Sequence, residues 1–363
     1  MRPILILASL ALIVGCVKND TVFMTDREIV FDAPVLSVST RSATKAAKEI
    51  SNNFPTEGYF NVYAYFYNNG YTSVSDGSLY MENVPVSYDP SQGTNGGWKP
   101  ELPYYWPRTG SLTFAAYYPT TGVGTVSYGP AGFVIENFEV AAKAEDQIDL
   151  LFSERAYDQT VSNQIDKNSH YYGVQLNFLH ALSSIVFNVK ADKTLVGDGS
   201  AEYEFKVKKI ELLHVFDKGL RFDQNLSDYE HHSKTPEPTN SDWKIDVQSH
   251  KDFVAFEGEL DVRSEVPVST VSGSGKTNLI LLPQPLDHGL DRVRLRVTYD
   301  LTHKDMQGYL ENQVVEADMP TANVAGWLRG KRYIYTLTLG LAEIRLSPKV
   351  ETWVNTDSPH ISI

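Results

Sequence analysis

The stretch that decides the fold class is residues 292–299, which read Arg-Val-Arg-Leu-Arg-Val-Thr-Tyr. Its apolar side chains alternate strictly with polar ones: Val293, Leu295, Val297 and Tyr299 stand at every second position. Successive side chains of a β-strand point to opposite faces, so this period indicates a strand with one buried face. The sequence therefore predicts a half-buried β-strand here.

The same period recurs along most of the chain. Apolar residues alternate with polar ones at 185–189 and 333–341, and residues 59–67 form a β-branched and aromatic run. Clusters of Gly, Asn, Asp and Pro, such as residues 89–93, separate these runs as turns do. Helical periodicity is scarce, and Ala43–Ser51 is its best short example. We therefore predict an all-β protein of the sandwich type.

The length of the chain favours two sandwich domains in tandem. It has 363 residues, more than one hydrophobic core usually holds. The polar stretch Asp158–Gly173 is the best internal boundary, because a new strand pattern begins after it at Val174. We predict an N-terminal β-sandwich at 42–165 and a C-terminal one at 166–363.

The charge of the chain limits its partners. Asp and Glu number 45 against 32 Lys and Arg, which gives a net charge of −13. An acidic surface repels phosphate backbones, so we expect no nucleic-acid partner. After the first residues, no apolar run approaches the length that spans a bilayer as a helix.

The first residues have the layout of a secretory signal peptide, predicted at 1–15. Ile4–Val14 is an uninterrupted small or apolar run, and Ile13-Val14-Gly15-Cys16 closes it. That ending resembles the lipobox of bacterial lipoproteins, which implies acylation of Cys16 and anchoring to outer-membrane lipid. The alternative is that Cys16 is simply a small apolar residue of the signal. Cys16 is also the only cysteine, so no internal disulfide can form.

Several segments in order resemble the fimbrillin-like proteins of Bacteroidetes, whose pili are assembled from lipoprotein precursors. The matching segments are Trp98–Pro100, Pro103–Pro107, Ser111–Pro119, Asp149–Phe152, Phe178–Ser183, Gly326–Trp327, Tyr333–Tyr335 and Val350–Trp353. The resemblance implies two transthyretin-like β-sandwiches, other fimbrillin subunits as partners and a place in a cell-surface fimbria. It does not distinguish a stalk subunit from a tip or an anchor.

The resemblance also implies a processing site at Arg41 and Ser42. In the family, an arginine-specific protease trims the precursor at such a position, so residues 16–41 would be a propeptide carrying the first strand. Residues 28–39 read as that strand, with Ile29, Phe31, Ala33 and Val35 on one face and Glu28, Val30 and Asp32 on the other. The alternative is that Arg41 is an ordinary arginine of an exposed linker.

The C-terminal strand at 342–354 is the candidate donor for a neighbouring subunit. Ile344, Leu346, Val350 and Val354 fall on one face of it. Such a strand could refill a groove left by a lost first strand through β-augmentation. The alternative is that it is simply the last strand of the second domain.

Signals for an enzyme are weak. His180 precedes Ser183 without a third partner, so we predict a hydrogen-bonded structural histidine. Residues 273–277 suggest a phosphate loop, but Thr270 stands where its first glycine is needed. The histidines lack metal-ligand spacing. We predict no catalytic residue, no metal and no cofactor.

Two classes of function remain. The first is a structural and adhesive subunit of a fimbria, polymerised by strand exchange after cleavage. The second is a lipid-anchored surface protein that binds a glycan or a host protein, or a fimbrial anchor or tip that is not trimmed. An outer-membrane hydrolase has the least support.

Overall fold

The computed structural model describes most of the chain and confirms that it is all-β. It covers residues 24–33, 54, 56, 58–92, 96–129, 132–164, 173–196, 203–224, 242–271, 278–289, 292–305, 309–341 and 343–353. Within these ranges, regular helix is limited to α1 (Lys193–Val196) and three short 3-10 turns. None of the described helices has the length and apolarity needed to cross a membrane.

The strands are distributed along the whole described chain. The first thirteen are β1 (Met24–Glu28), β2 (Phe31–Asp32), β3 (Tyr59–Tyr67), β4 (Ser78–Asp89), β5 (Gly97–Pro100), β6 (Tyr105–Pro107), β7 (Ser111–Tyr118), β8 (Thr125–Gly129), β9 (Gly132–Glu139), β10 (Leu151–Ser153), β11 (Ala156–Gln159), β12 (Val174–Gln175) and β13 (Phe178–His180). The others are β14 (Ser183–Ala191), β15 (Tyr203–Phe216), β16 (Lys218–Asp223), β17 (Trp243–Ile245), β18 (His250–Val262), β19 (Val268–Ser269), β20 (Leu279–Leu281), β21 (Arg294–His303), β22 (Tyr309–Asp318), β23 (Lys331–Leu339) and β24 (Ile344–Thr352).

The N-terminal half is built on a nine-stranded sheet. Its order is β12-β2-β5-β4-β3-β7-β10-β13, and β11 also pairs with β7. Aromatic side chains fill the core beneath it, including Phe60, Trp98, Trp106 and Phe114. Large rigid rings bury much area at small entropic cost, which suits them to this core.

The C-terminal half has two facing sheets. One has the order β19-β14-β23-β24 with β20 also on β14, and the other has the order β18-β15-β21-β22. The strand predicted at 292–299 is β21, and its apolar side chains are buried from Val293 to Tyr299. Its alternate arginines face outward, where Arg294 and Arg296 both pair with Glu316.

A fourth large sheet joins the two halves. Its order is β17-β16-β9-β8, so β9 from the first half pairs with β16 from the second. The larger of the two main core clusters likewise contains side chains from both halves, such as Phe138 and Phe222. The division into domains at 42–165 and 166–363 stays a prediction.

Candidate functional site

The segment 24–33, which belongs to the predicted propeptide, contributes β1 to a two-stranded sheet with β6 and β2 to the N-terminal sheet. β2 is inserted between β12, to which it runs parallel, and β5, to which it runs antiparallel. The backbone N–H of Val174 donates to the Val30 carbonyl at 2.8 Å, and that of Leu176 donates to the Asp32 carbonyl at 2.9 Å. β2 is therefore a strand of the N-terminal sheet rather than part of a spacer.

The buried side chains of this segment differ in part from the predicted pattern. Ile29, Phe31 and Ala33 are buried as predicted, and the Phe31 ring meets the edge of Phe114 at 5.3 Å between centroids. Val30 is predicted on the opposite face, and it is buried as well, at 1% exposed. The strand predicted at 28–39 is interrupted at Ile29 and Val30, between β1 and β2.

One carboxamide fastens this segment to the rest of the sheet. The Gln164 Oε1 atom accepts hydrogen bonds from Trp106 Nε1 at 2.9 Å and from the Val30 backbone N–H at 3.3 Å. The Gln164 Nε2 atom donates to the Glu28 carbonyl at 3.2 Å. Sequence reasoning missed Gln164, because nothing in its polar surroundings points to residues more than 130 positions away.

The backbone of Gly173 lies close to the backbone of this segment. Gly173 has a positive φ of +122°, and a Cβ atom there would lie 2.7 Å from the Val30 carbonyl oxygen. Only glycine tolerates both conditions. In the sequence this position is only a glycine at the end of a polar stretch, which does not indicate the close contact with Val30.

Tyr80 holds β6, the partner of β1. Its hydroxyl donates to the Tyr105 carbonyl at 2.5 Å. Burial raises the pKa of Tyr80 to about 12, so the hydroxyl stays protonated and keeps donating at neutral pH.

The predicted donor strand, β24, lies at an edge of the C-terminal sheet. It pairs with β23 along its whole length, from Leu339 opposite Ile344 to Lys331 opposite Thr352. Among the described strands, β23 is its only hydrogen-bonded neighbour. In this chain β24 is therefore the last strand of its own sheet.

The apolar face of β24 is buried only at its start. Ile344 is 9% exposed, Leu346 is half-buried, and Val350 is 46% exposed. Val350 therefore presents an apolar side chain to solvent at the sheet edge. A single exposed apolar residue is common on protein surfaces, whereas a row of them along an edge strand indicates a surface that pairs with another strand.

Trp353, directly after β24, is the buried anchor of this strand. It is fully buried, and its backbone N–H donates to the Gly330 carbonyl at 2.7 Å. Its indole stacks on the His180 ring, with centroids 3.7 Å apart and planes 3° apart. In the sequence, Trp353 stands out only within the segment Val350–Trp353 that resembles the family.

His180 is hydrogen-bonded, as the sequence predicts. Its Nδ1 atom lies 2.8 Å from Asp149 Oδ1, and both side chains are buried. The Ser183 hydroxyl donates to the Leu328 carbonyl at 2.9 Å and is engaged there rather than with His180. Among the described residues, no cluster of three His, Cys, Asp or Glu side chains could hold a metal ion.

The structure places only some of the predicted site residues. Cys16, Arg41, Ser42 and Val354 lie outside the described residues. Ile344, Leu346 and Val350 share β24, which belongs to a different sheet from β2. The first strand and the candidate donor are thus held separately in one molecule.

Two solved structures of similar proteins come from Bacteroides species. A fimbrial protein from Bacteroides vulgatus is 19% identical with a TM-score of 0.59, over 91% of this chain and 100% of that one. A candidate cell adhesion protein from Bacteroides uniformis is 17% identical with a TM-score of 0.51, over 91% of this chain and 99% of that one. At these identities the likeness concerns the fold.

The family of the chain follows from its sequence match. No curated protein matches the chain. The model of the fimbrillin-like family, however, matches residues 40–353, which is most of the chain and includes β24 and every strand of the N-terminal sheet except β2. The chain belongs to the fimbrillin-like family.

Proposed function

We propose that this protein is a structural and adhesive subunit of a cell-surface fimbria. It would be exported as a lipoprotein acylated on Cys16, cleaved between Arg41 and Ser42, and polymerised by strand exchange. The observation that carries the proposal is the insertion of β2 between β12 and β5, upstream of Arg41. Cleavage at Arg41 would therefore remove an integral strand.

Loss of the segment 24–33 would leave an apolar groove. Ile29, Val30 and Phe31 are almost fully buried, and burying such side chains contributes about 1.5–3 kcal/mol each. Their removal would expose Phe114 and Val174 and would leave β12 and β5 without the strand between them. Open edges of this kind pair readily with an incoming strand.

β24 suits the role of the incoming strand because its outer edge has no partner among the described strands. Donation has a cost, since the strand must first separate from β23 and Trp353 must leave its stack on His180. Pairing with the groove of a second subunit would have to offset that cost.

A second candidate is an untrimmed tip, anchor or surface binding protein held by lipid on Cys16. The observation that favours it is the fastening of the first segment by Gln164 and by the close approach at Gly173. A precursor built in this way is complete without cleavage.

The N-terminus of surface material separates the two candidates. In cells expressing the wild-type chain, mass spectrometry should find a mature protein that begins at Ser42, and electron microscopy should find fibres. Arg41→Ala should keep the acylated Cys16 terminus and form no fibres, whereas the control Lys45→Ala should behave as wild type. A wild-type protein that still begins at Cys16 would contradict the trimmed subunit and favour the anchored one.

A further inference from the structure

One lysine at the junction of the two halves lies between two carboxylates. The Nζ atom of Lys251, in β18, is 2.5 Å from Glu139 Oε1 and 2.7 Å from Asp217 Oδ2. Glu139 is the last residue of β9, and Asp217 stands between β15 and β16. The fold therefore brings one amine and two carboxylates from three elements into direct contact.

The Asp217 side chain is completely buried. Among the described residues, every other carboxylate that pairs with a lysine keeps at least 12% of its side chain exposed. Phe216 is buried as well, and so is Val140, whose N–H donates to the Asp217 carbonyl at 2.8 Å. Charges lose their hydration in such surroundings, so a neutral amide is favoured over a free ammonium and carboxylate.

Strand register and hydrogen bonds hold the Asp217 carboxyl group against the amine. Val215 lies opposite Lys251 in the β15–β18 pair, so Asp217, two residues later, is the diagonal neighbour of Lys251. The Ser249 hydroxyl donates to Asp217 Oδ1 at 2.7 Å. The Oδ2 atom faces Lys251 Nζ, and no donor in the described part of the chain is aligned with it for a hydrogen bond. The reacting atoms of a condensation are thus already in place.

We propose that Lys251 and Asp217 form an intramolecular isopeptide bond once the chain has folded. Glu139 takes one proton from the ammonium and passes it to Asp217 Oδ2, which leaves a neutral amine beside a carboxylic acid. The Nζ lone pair then attacks the Asp217 Cγ atom and forms the C–N bond. A second proton moves from Nζ through Glu139 to the Oδ2 hydroxyl, the Cγ–Oδ2 bond breaks, and one water molecule leaves. Glu139 is regenerated, and no oxidant or activated co-reactant is consumed.

The reactive form of this triad is the minor one. The Asp217 and Glu139 carboxylates raise the pKa of Lys251, so the ammonium is the resting form at neutral pH. The reaction occurs only once in each molecule, however, so a slow rate is sufficient. Well-oriented groups within one molecule react as if at an effective concentration of about 10⁵–10⁸ M. Glu139 is 49% exposed, which gives the released water a route to solvent.

Peptide mapping of the purified full-length chain tests the proposal. Trypsin cleaves after a free Lys251 but not after an acylated one. The bond should therefore join peptides 210–218 and 245–263 into one branched species, whose mass is their sum less one water molecule. We expect nearly all of the folded wild-type chain to give this species. Recovery of the separate peptides 210–218 and 245–251 at full mass would overturn the proposal.

Three variants assign the roles within the triad. Lys251→Arg keeps the positive charge and should give no branched peptide. Glu139→Gln, at a half-exposed position, should slow its formation about tenfold or more, because a general base is lost, and an unchanged rate would overturn the role of Glu139. Lys218→Arg is the matched control, since Lys218 also lies near Glu139, at 3.9 Å, and it should link as fully as wild type.

The isopeptide bond is independent of fimbrial assembly. None of its three residues lies in segment 24–33 or in β24. Fibre formation and the mature N-terminus are measured separately, so an unlinked chain would leave the fimbrial proposal standing.

Discussion

Trp353 illustrates how a single residue can determine whether a strand stays in place. Its indole is fully buried and stacked on His180, while Val350, three residues earlier, is 46% exposed. The periodicity of β24 drew attention to Val350, because alternation alone cannot tell which end of an edge strand meets the core. The residue with the larger energetic role lies one position beyond the strand.

Trp353→Ala should therefore destabilise the protein by about 3–5 kcal/mol, the usual cost of removing a buried large aromatic side chain. Val350→Ala on the same strand end is the control and should change the free energy of unfolding by less than about 1 kcal/mol. Urea denaturation followed by far-UV circular dichroism measures both. Equal effects of the two substitutions would show that the stack does not anchor β24.

Gly173 offers a test of the close approach to the first strand. Gly173→Ala combines a strained positive φ with a Cβ only 2.7 Å from the Val30 carbonyl, whereas Gly122→Ala has a φ of +77° and nothing within 4 Å. We expect Gly122→Ala to cost about 1–2 kcal/mol for backbone strain alone, and Gly173→Ala to cost clearly more. The difference should become smaller in chains that lack residues 1–41, and only the part due to the greater backbone strain at φ +122° should remain. Thermal unfolding of the four proteins measures it, and a difference of the same size without the first strand would refute the contact.

At the scale of elements, the alternation of apolar and polar residues predicts strands that have one buried face and one face in solvent. It does not predict which side chains are buried in a segment that passes from one sheet to another. The alternation at β21 follows directly from its single buried face, with Arg294 and Arg296 outside. Segment 24–33 instead passes from β6 to the nine-stranded sheet, and Val30 is buried together with Ile29 and Phe31, which are predicted on the other face. Its partners, such as Gln164, are set by the tertiary fold and leave no local signal.

Strand exchange predicts that β24 can stabilise a trimmed subunit in trans. A synthetic peptide of residues 343–353, added to a chain lacking residues 1–41, should raise its melting temperature in a concentration-dependent way, because binding to the native state stabilises it. The full-length chain, in which β2 already lies between β12 and β5, should not respond. A peptide of the same composition in scrambled order is the control. An equal shift with both peptides would argue against a specific groove.

At the scale of the whole molecule, the two halves share both a sheet and a core. β9 and β16 pair over residues separated by about 80 positions, from Glu139 opposite Lys218 to Val134 opposite Asp223. The Trp243 indole N–H donates to the Ala181 carbonyl at 2.8 Å within the same junction. Composition and turn signals can indicate a boundary near residue 165, but pairing across so long a separation is visible only in the folded chain.

The shared core predicts that the two halves unfold together. Phe222 is fully buried between Phe152 and Trp243, with ring centroids 5.2 Å and 5.1 Å away, so it belongs to the interior of both halves. Differential scanning calorimetry of the full-length chain should therefore give one cooperative transition.

Phe222→Ala should lower the stability by about 3–5 kcal/mol and either keep one transition at lower temperature or split it in two. The exposed neighbour Leu220 is the control, and Leu220→Ala should change neither. Two separate transitions in the wild-type protein would mean that the halves are independent domains and that the β9–β16 pairing adds little to their coupling.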